Sequence, residues 1–239
     1  MLNQTSKSQR LHEQLGRLIS TTEPGDRLPS EPILARELGV SRATLREAMR
    51  TYETQGLILR KQGSGTFVVH PTQVIESGLE VLESIETMAE RTGLAVSMGK
   101  LEFEHRPASS DEVKAMDLAA DTNVLHLSRV ILADDRPVAV LVDIVPEAYL
   151  SSREVESSFT GSVLDLFLSR GTPTLISSRT EINAVTATPK EARKLCIQRG
   201  DVLLCLVGYL YGGNGEVVDY SFSYFLPGYF RFHVLRRVR

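Results

Sequence analysis

The stretch from Pro24 to Val68 reads PGDRLPSEPILARELGVSRATLREAMRTYETQGLILRKQGSGTFV, and it holds two helix starts in close succession. Ser30 stands where it caps a short helix running to about Leu38, with Pro32 tolerated in the first turn and Gly39 suited to a left-handed position past the end. Ser41 then caps the next helix almost at once. Two short helices parted by Gly39-Val40-Ser41 make a helix-turn-helix candidate. In the second of them Leu45, Ala48, Met49 and Tyr52 recur at i, i+3, i+4 and i+7, which is one buried face. Arg42, Arg46 and Arg50 recur at i+4 on another face. Like charges stacked in this way oppose an isolated helix by a few tenths of a kcal/mol per pair, so they favour a place where an anion neutralises them. DNA phosphates and guanine edges meet that need; a solvated basic face offset by Glu47 accounts for the stripe taken alone.

Downstream, Leu57 to Arg60 and Thr66 to Val69 are β-rich runs joined by Lys61-Gln62-Gly63-Ser64-Gly65. This is a hairpin whose glycines can take positive φ and let backbone approach a groove closely, while Arg60 and Lys61 supply charge. The glycines fit an ordinary hairpin equally well. The order of capped helix, turn, basic helix and glycine-tipped hairpin is what points to a winged helix-turn-helix. Upstream, Leu11, Leu15, Leu18 and Ile19 keep helical spacing, so a helix is expected from Lys7 to about Ser20, broken by Pro24-Gly25-Asp26.

Over nearly its whole length the stretch from Pro24 to Val68 resembles the DNA-binding domain of the GntR family. The resemblance implies that Ser41, Arg42, Thr44 and Arg46 touch phosphates and base edges from the recognition helix. It also implies that Ser30 meets a phosphate and that Gly63 and Gly65 carry the wing into the minor groove. One position departs: an arginine is usual directly after the Ser-Glu pair, and Pro32 stands there.

Charge agrees with a polyanion partner for the head alone. Residues 1–70 hold ten Lys/Arg against seven Asp/Glu, whereas the remainder of the 239-residue chain holds seventeen against twenty-three. The length suits a small domain of about 70 residues joined to a larger one. The start, MLNQTSKSQRLHEQL, has no apolar signal core, and the most apolar stretch, Val202 to Leu210, falls short of the roughly 20 residues that span a bilayer. The expected protein is soluble and cytoplasmic, with no membrane partner. Cys196 and Cys205, the two cysteines, lie in apolar runs and are expected as reduced core thiols.

After a short polar link at His70-Pro71-Thr72-Gln73, the spacing of Leu79, Leu82, Ile85 and Met88 suggests a helix ending near Gly93. Strands are expected at Ser97–Glu104, Val124–Ala133, Val138–Val145, Thr180–Ala187, Val202–Tyr211 and Val217–Phe225. Helices are expected at about Ser110–Ala119, Ser162–Arg170 and Pro189–Gln198. That order indicates an α+β body with a largely antiparallel sheet. The aromatics Tyr220, Phe222, Tyr224, Phe225, Tyr229, Phe230 and Phe232 read chiefly as core packing, and Arg236, Arg237 and Arg239 as a solvated tail.

The runs LSRVILADDRPVAVLVDIVP, Gly161-Ser162-Val163-Leu164, ATPKEARKLCIQRGDVLLCL and VVDYSFSYF resemble the effector domain of the HutC subfamily, called UTRA. The resemblance implies a chorismate-lyase-like fold, dimerisation and an effector pocket at one end of the sheet. Arg129 matches the first arginine of the family's Arg-x-Arg pair, with Ile131 in place of the second, and Asp219 matches a carboxylate two strands later. Leu141 stands where a glutamate is usual and Phe225 where a tyrosine is. Glu86 sits near a helix start where sugar-phosphate binders present a small residue, and a carboxylate there repels an anion. An apolar molecule with a cationic or amide group therefore suits Glu86, Leu141, Asp219 and Phe225 better, with Arg129 completing the expected effector contacts. A structural ion pair between Arg129 and Asp219 is the alternative.

The reading is thus a winged helix-turn-helix over 1–70, a linker at 71–76 and an effector-binding and dimerisation domain over 77–239. The expected function is transcriptional repression relieved by a small molecule, with a homodimer on an inverted-repeat operator in double-stranded DNA. An enzyme built on the lyase-like domain is disfavoured, since no Ser/His/Asp or Cys/His set is apparent. His105, His126 and His233 lack metal-ligand spacing, so no catalytic residue, metal or cofactor is assigned. A helical metal-binding sensor, as in other GntR subfamilies, conflicts with the strand-rich second half. An architectural DNA binder without an effector is the remaining alternative.

Overall fold

The computed structural model describes residues 7–54, 56–61, 63–69 and 75–236. The link at 70–73, Gln62 of the hairpin tip, and Arg237 and Arg239 of the basic tail lie outside the described residues. The chain packs as two units: residues before Ile75 together with Leu226–Arg231, and Ile75–Phe225 together with Phe232 onward.

In the first unit, α1 (Lys7–Thr21), α2 (Glu31–Glu37) and α3 (Arg42–Thr54) precede the hairpin of β1 (Ile58–Lys61) and β2 (Gly65–Val68). The strands pair antiparallel, Ile58 with Val68 and Lys61 with Gly65. Leu11, Leu15 and Ile19 of α1, Leu34 of α2, Leu45 and Met49 of α3 and Ile58 of β1 form one core, with Tyr52 packed at its margin. Gly39 takes φ +64°, the left-handed turn that lets α3 start so soon after α2. The expected arginine stripe divides: Arg42 and Arg46 are exposed, while the Arg50 side chain is only 17% exposed and pairs with Glu47 at 3.8 Å. Three residues at i+4 drift around a helix of 3.6 residues per turn, and the third has turned toward the core side.

In the second unit, β3 (Ile75–Gly78) and α4 (Ile85–Arg91) lead into β4 (Val96–Pro107), α5 (Ser110–Met116), β5 (Asn123–Ala133) and β6 (Arg136–Pro146). There follow α6 (Ser152–Ser158), α7 (Val163–Arg170), β7 (Leu175–Thr186), α8 (Pro189–Leu195), β8 (Val202–Gly212) and β9 (Val217–Phe225), and then β10 (Phe230–His233), of which Phe232 and His233 belong to this unit. Six strands form one antiparallel sheet in the order β4-β5-β6-β9-β8-β7, and β10 pairs with β3 separately. On one face Val155 of α6 and Val163 and Phe167 of α7 pack on Leu125, Leu127 and Leu210. On the other, Met116 of α5 packs with Val124, Ile144 and Val217.

Three expectations need correction. The helix expected from Leu79 begins only at Ile85, because the Ser84 hydroxyl caps it by accepting from Thr87 N at 3.1 Å. Leu79 instead continues the β3 pairing, its N–H donating to His233 O at 3.0 Å, and Leu82 is exposed. Cys205 is a buried thiol as expected, but Cys196 is exposed, since it ends α8 in the left-handed conformation at φ +56°. Strands β3 and β10 and helix α6, with its Ser151–Glu154 capping box, were not among the expected elements.

Candidate functional site

Two surfaces gather the residues singled out in the sequence. The first is the opening of α3. Ser41 Oγ accepts from Thr44 N at 3.1 Å and lies 2.8 Å from Thr44 Oγ1, so the cap is built from two hydroxyls that both remain exposed. Arg42 and Arg46 project beside them, exposed. Arg46 is steered by Glu31 of α2, with Nε to Oε2 at 3.7 Å, and Arg60 of β1 donates to the Arg46 carbonyl at 3.2 Å.

Ser30 occupies the N-cap position of α2 but makes no side-chain cap bond. The reason is local: Pro32 removes the second N–H of the helix, and the third, that of Ile33, bonds to the Ser30 carbonyl at 2.9 Å. The Ser30 hydroxyl therefore has no helix amide to satisfy. In the wing, Gly63 and Gly65 take φ +76° and +116°, conformations that other residues rarely adopt. At Gly65 a side chain would also collide with the Arg27 guanidinium. Lys61 sits over the Phe67 ring at 5.5 Å, which holds its charge on the hairpin.

The second surface is a cavity of about 530 Å³ in the second unit, and Glu86, Arg129, Leu141, Asp219 and Phe225 all line it. The sheet register explains how they converge. Arg129 on β5 pairs with Leu141 on β6, Leu141 with Ser223 on β9, and Ser223 with Leu206 on β8. One row along the same face run Asp143, Ser221, Gly208 and Thr180; a further row holds Asp219, Leu210 and Ser178. Side chains two apart share a face, so residues from five strands meet over one floor. The mouth is formed by Leu79–Glu86 and Met88, with Ser162 and Leu164 from the start of α7. Gly161 permits this approach, since a Cβ there would lie 3.1 Å from Glu86 Oε1.

Asp143 is the residue that the sequence reading did not single out. Arg129 Nη1 donates to Asp143 Oδ2, and the pair is nearly sealed from solvent. Phe159, at the end of α6, places its ring 5.7 Å from the same guanidinium. Asp219 therefore does not take the place of Arg129's ion-pair partner; it shares a hydrogen bond with the Asp143 carboxyl instead. Burial, and after it the Asp143 charge, hold the Asp219 carboxyl well above the usual carboxylate range. Burial also raises Glu86. On the residues lining this cavity, four buried atoms have no hydrogen-bond partner among the other described residues: both Glu86 carboxyl oxygens, Asp219 Oδ1 and Arg129 Nε. Ile131, which pairs with Ala139 and is fully buried, is not among the lining residues.

Two family models match this chain: "Bacterial regulatory proteins, gntR family" over residues 7–68 and "UTRA domain" over 91–231. The chain belongs to the GntR family of bacterial regulators that carry a UTRA domain. Among relatives of this GntR protein, the histidine utilization repressor of Pseudomonas putida is 30% identical over 81% of this chain and 77% of its own length. The HTH-type transcriptional repressor NagR of Bacillus subtilis is 28% identical over 88% and 86%, respectively. The solved structure of PhnF from Mycobacterium smegmatis shares the fold, with a TM-score of 0.66 at 20% identity over 96% of this chain and all of that one. Among the described residues of the regulator no helix is long and apolar enough to cross a membrane.

Proposed function

We propose that this GntR regulator is a repressor that holds an operator through residues 1–70 and is released when a small molecule enters the cavity of the domain over 77–239. The observation that carries the reading is the exposed cluster of Ser41, Arg42, Thr44 and Arg46 at the start of α3, within the segment matched by the gntR model. Donors at the start of a recognition helix reach base edges, a phosphate contact from Ser30 sets the register, and Gly63 and Gly65 carry the wing into the minor groove. The names of relatives as repressors support repression over activation. They also support a regulator rather than an enzyme.

Dimerisation follows from recognition arithmetic, since one small head contacts few bases and a two-fold pair doubles them on an inverted repeat. An operator-DNA partner supports a cytoplasmic location. Relatives are named for histidine utilisation and for mannosyl-D-glycerate metabolism, so their names do not carry one effector over to this chain. The test is selection of bound sequences from random duplex DNA, followed by native mass spectrometry of freshly purified protein. Recovery of an inverted repeat and a retained small molecule is expected; unselective binding overturns the reading.

A further inference from the structure

The cavity lining is one-sided in charge. Glu80, Glu83, Glu86, Asp143 and Asp219 contribute five carboxyls, and Arg129 is the single cation among the described lining residues. Arg129 is already committed to Asp143. Glu83 is paired with Arg91 at 2.8 Å, and Glu80 accepts from the Leu235 amide. That leaves Glu86 and Asp219 as the two carboxyls with unmatched oxygens buried in the site. A buried acceptor without a donor costs free energy unless something brings one, so such atoms mark where a ligand's donors belong. Around them the surface is apolar or hydroxylic: Leu141, Leu206, Phe225, Ser221 and Ser223. The lone unmatched donor, Arg129 Nε, calls for an acceptor on the same molecule.

We infer that the effector is an organic cation, a primary amine or related group on a short apolar skeleton that also bears a carbonyl-type acceptor. The molecule's ammonium and other donors face the unmatched oxygens of Glu86 and Asp219, and its acceptor faces Arg129 Nε. This rests on the reading of the cavity as the sensing site, and it sets the protein apart from a binder of anions. A phosphate or carboxylate group placed here meets the unmatched carboxyl oxygens of Glu86 and Asp219, and the one lining cation among the described residues is already paired with Asp143.

Proton exchange accompanies the binding. Glu86 is faced by Arg129, Asp143 and Asp165, and Asp219 by Asp143 and Arg129. Burial raises both carboxyls, so each gives up a proton to the extent that it still carries one when an ammonium arrives, and the cation binds more tightly as pH rises.

Three matched probes test the charge class on the full chain: N-acetylputrescine as the cation, N-butylacetamide as the neutral skeleton and 4-acetamidobutanoate as the anion. Titration calorimetry and thermal melting are expected to show the cation binding about tenfold or more tightly than either of the others. Glu86→Gln and Asp219→Asn each weaken it about tenfold, with circular dichroism confirming that the variants fold. Repeating the titration in two buffers of different ionisation enthalpy is expected to show proton release. Stronger binding of the anion, or equal binding of the neutral amide, overturns the charge assignment while leaving the cavity as the sensing site. If none of the three binds at millimolar concentration, the cation assignment falls. If native mass spectrometry in addition finds no retained molecule, the sensing reading falls with it.

Discussion

Arg129 on β5 and Asp143 on β6 are diagonal neighbours in the antiparallel register, since Arg129 pairs with Leu141 and Asp143 with Leu127, and the guanidinium turns along the sheet to meet the carboxylate. The pair is buried on the floor of the cavity, where removing one partner leaves an uncompensated charge. Arg129→Ala is therefore expected to destabilise the protein by about 3 to 5 kcal/mol, read from urea unfolding. A cost within the range of an exposed ion pair, below about 1 kcal/mol, would contradict the burial of this contact.

Asp219→Asn is expected to behave in the opposite way. Because burial and the Asp143 charge raise its pKa, the native state holds a proton that the unfolded chain releases above the ordinary Asp value of 3.8. Native protein thus binds more protons than unfolded protein, and this group's contribution to stability falls as pH rises from about 4 through the raised value. Asparagine has no proton to hold. The difference in melting temperature, variant minus wild type, should grow with pH above about 4; a difference that shrinks shows Asp219 ionised in the fold.

Arg46→Ala should weaken operator binding by about 1 to 3 kcal/mol at fixed salt and leave the melting temperature close to wild type. The side chain is 62% exposed and its contact with Glu31, at 3.7 Å, is of the kind worth little to stability. Arg50→Ala, only 17% exposed, should lower the melting temperature more than it lowers affinity. Equal gel-shift affinity for Arg46→Ala and wild type would remove Arg46 from the interface.

On an operator, hydroxyl-radical footprinting should protect two related half-sites spaced by about one helical turn, with saturation at two chains per duplex. Saturation at one chain would count against the two-fold arrangement.

Glu112 closes the capping box of α5 with Ser109 and receives both Arg106 guanidinium nitrogens, at 2.6 and 2.7 Å. The Arg106 hydrogen bonds hold its carboxyl at about 2, below the usual range. A depressed value contributes stability above the unfolded value near 4.5 that is lost as pH falls toward about 2. Glu112→Gln is expected to cost about 2 kcal/mol near neutrality and to converge with wild type in acid. Parallel stability curves down to low pH would exclude this ion pair as the source.

The head was legible because its signals are local: Ser41 caps α3, Gly39 turns left-handed, and Leu45 and Met49 repeat on one face. Ser30 shows where such signals stop, because its cap bond depends on an amide that Pro32 lacks. The sheet was legible from its alternating runs, and the five cavity residues named from the resemblance line one cavity. Asp143 was not found, although a signal existed. It is the one carboxylate in the run VAVLVDIV, two residues from Leu141 and so on the same face, and a charge buried there needs a partner. The Leu79–Met88 spacing misled because strand pairing with β10, a segment over 150 residues away, claimed Leu79. Periodicity carries no information about a partner so distant in the chain.

Alternation along β6 and β9 has a consequence for how such a protein changes. Leu141, Asp143, Ser221 and Ser223 look into the cavity, while Val142, Phe222 and Tyr224 between them look the other way, and the main-chain ladder is indifferent to which side chain occupies an inward position. With Asp143 kept for Arg129, what the protein responds to can therefore be rewritten at Leu141, Ser221 and Ser223 without disturbing the frame that carries them. The same positions are where an engineer would begin to build a reporter for a different metabolite.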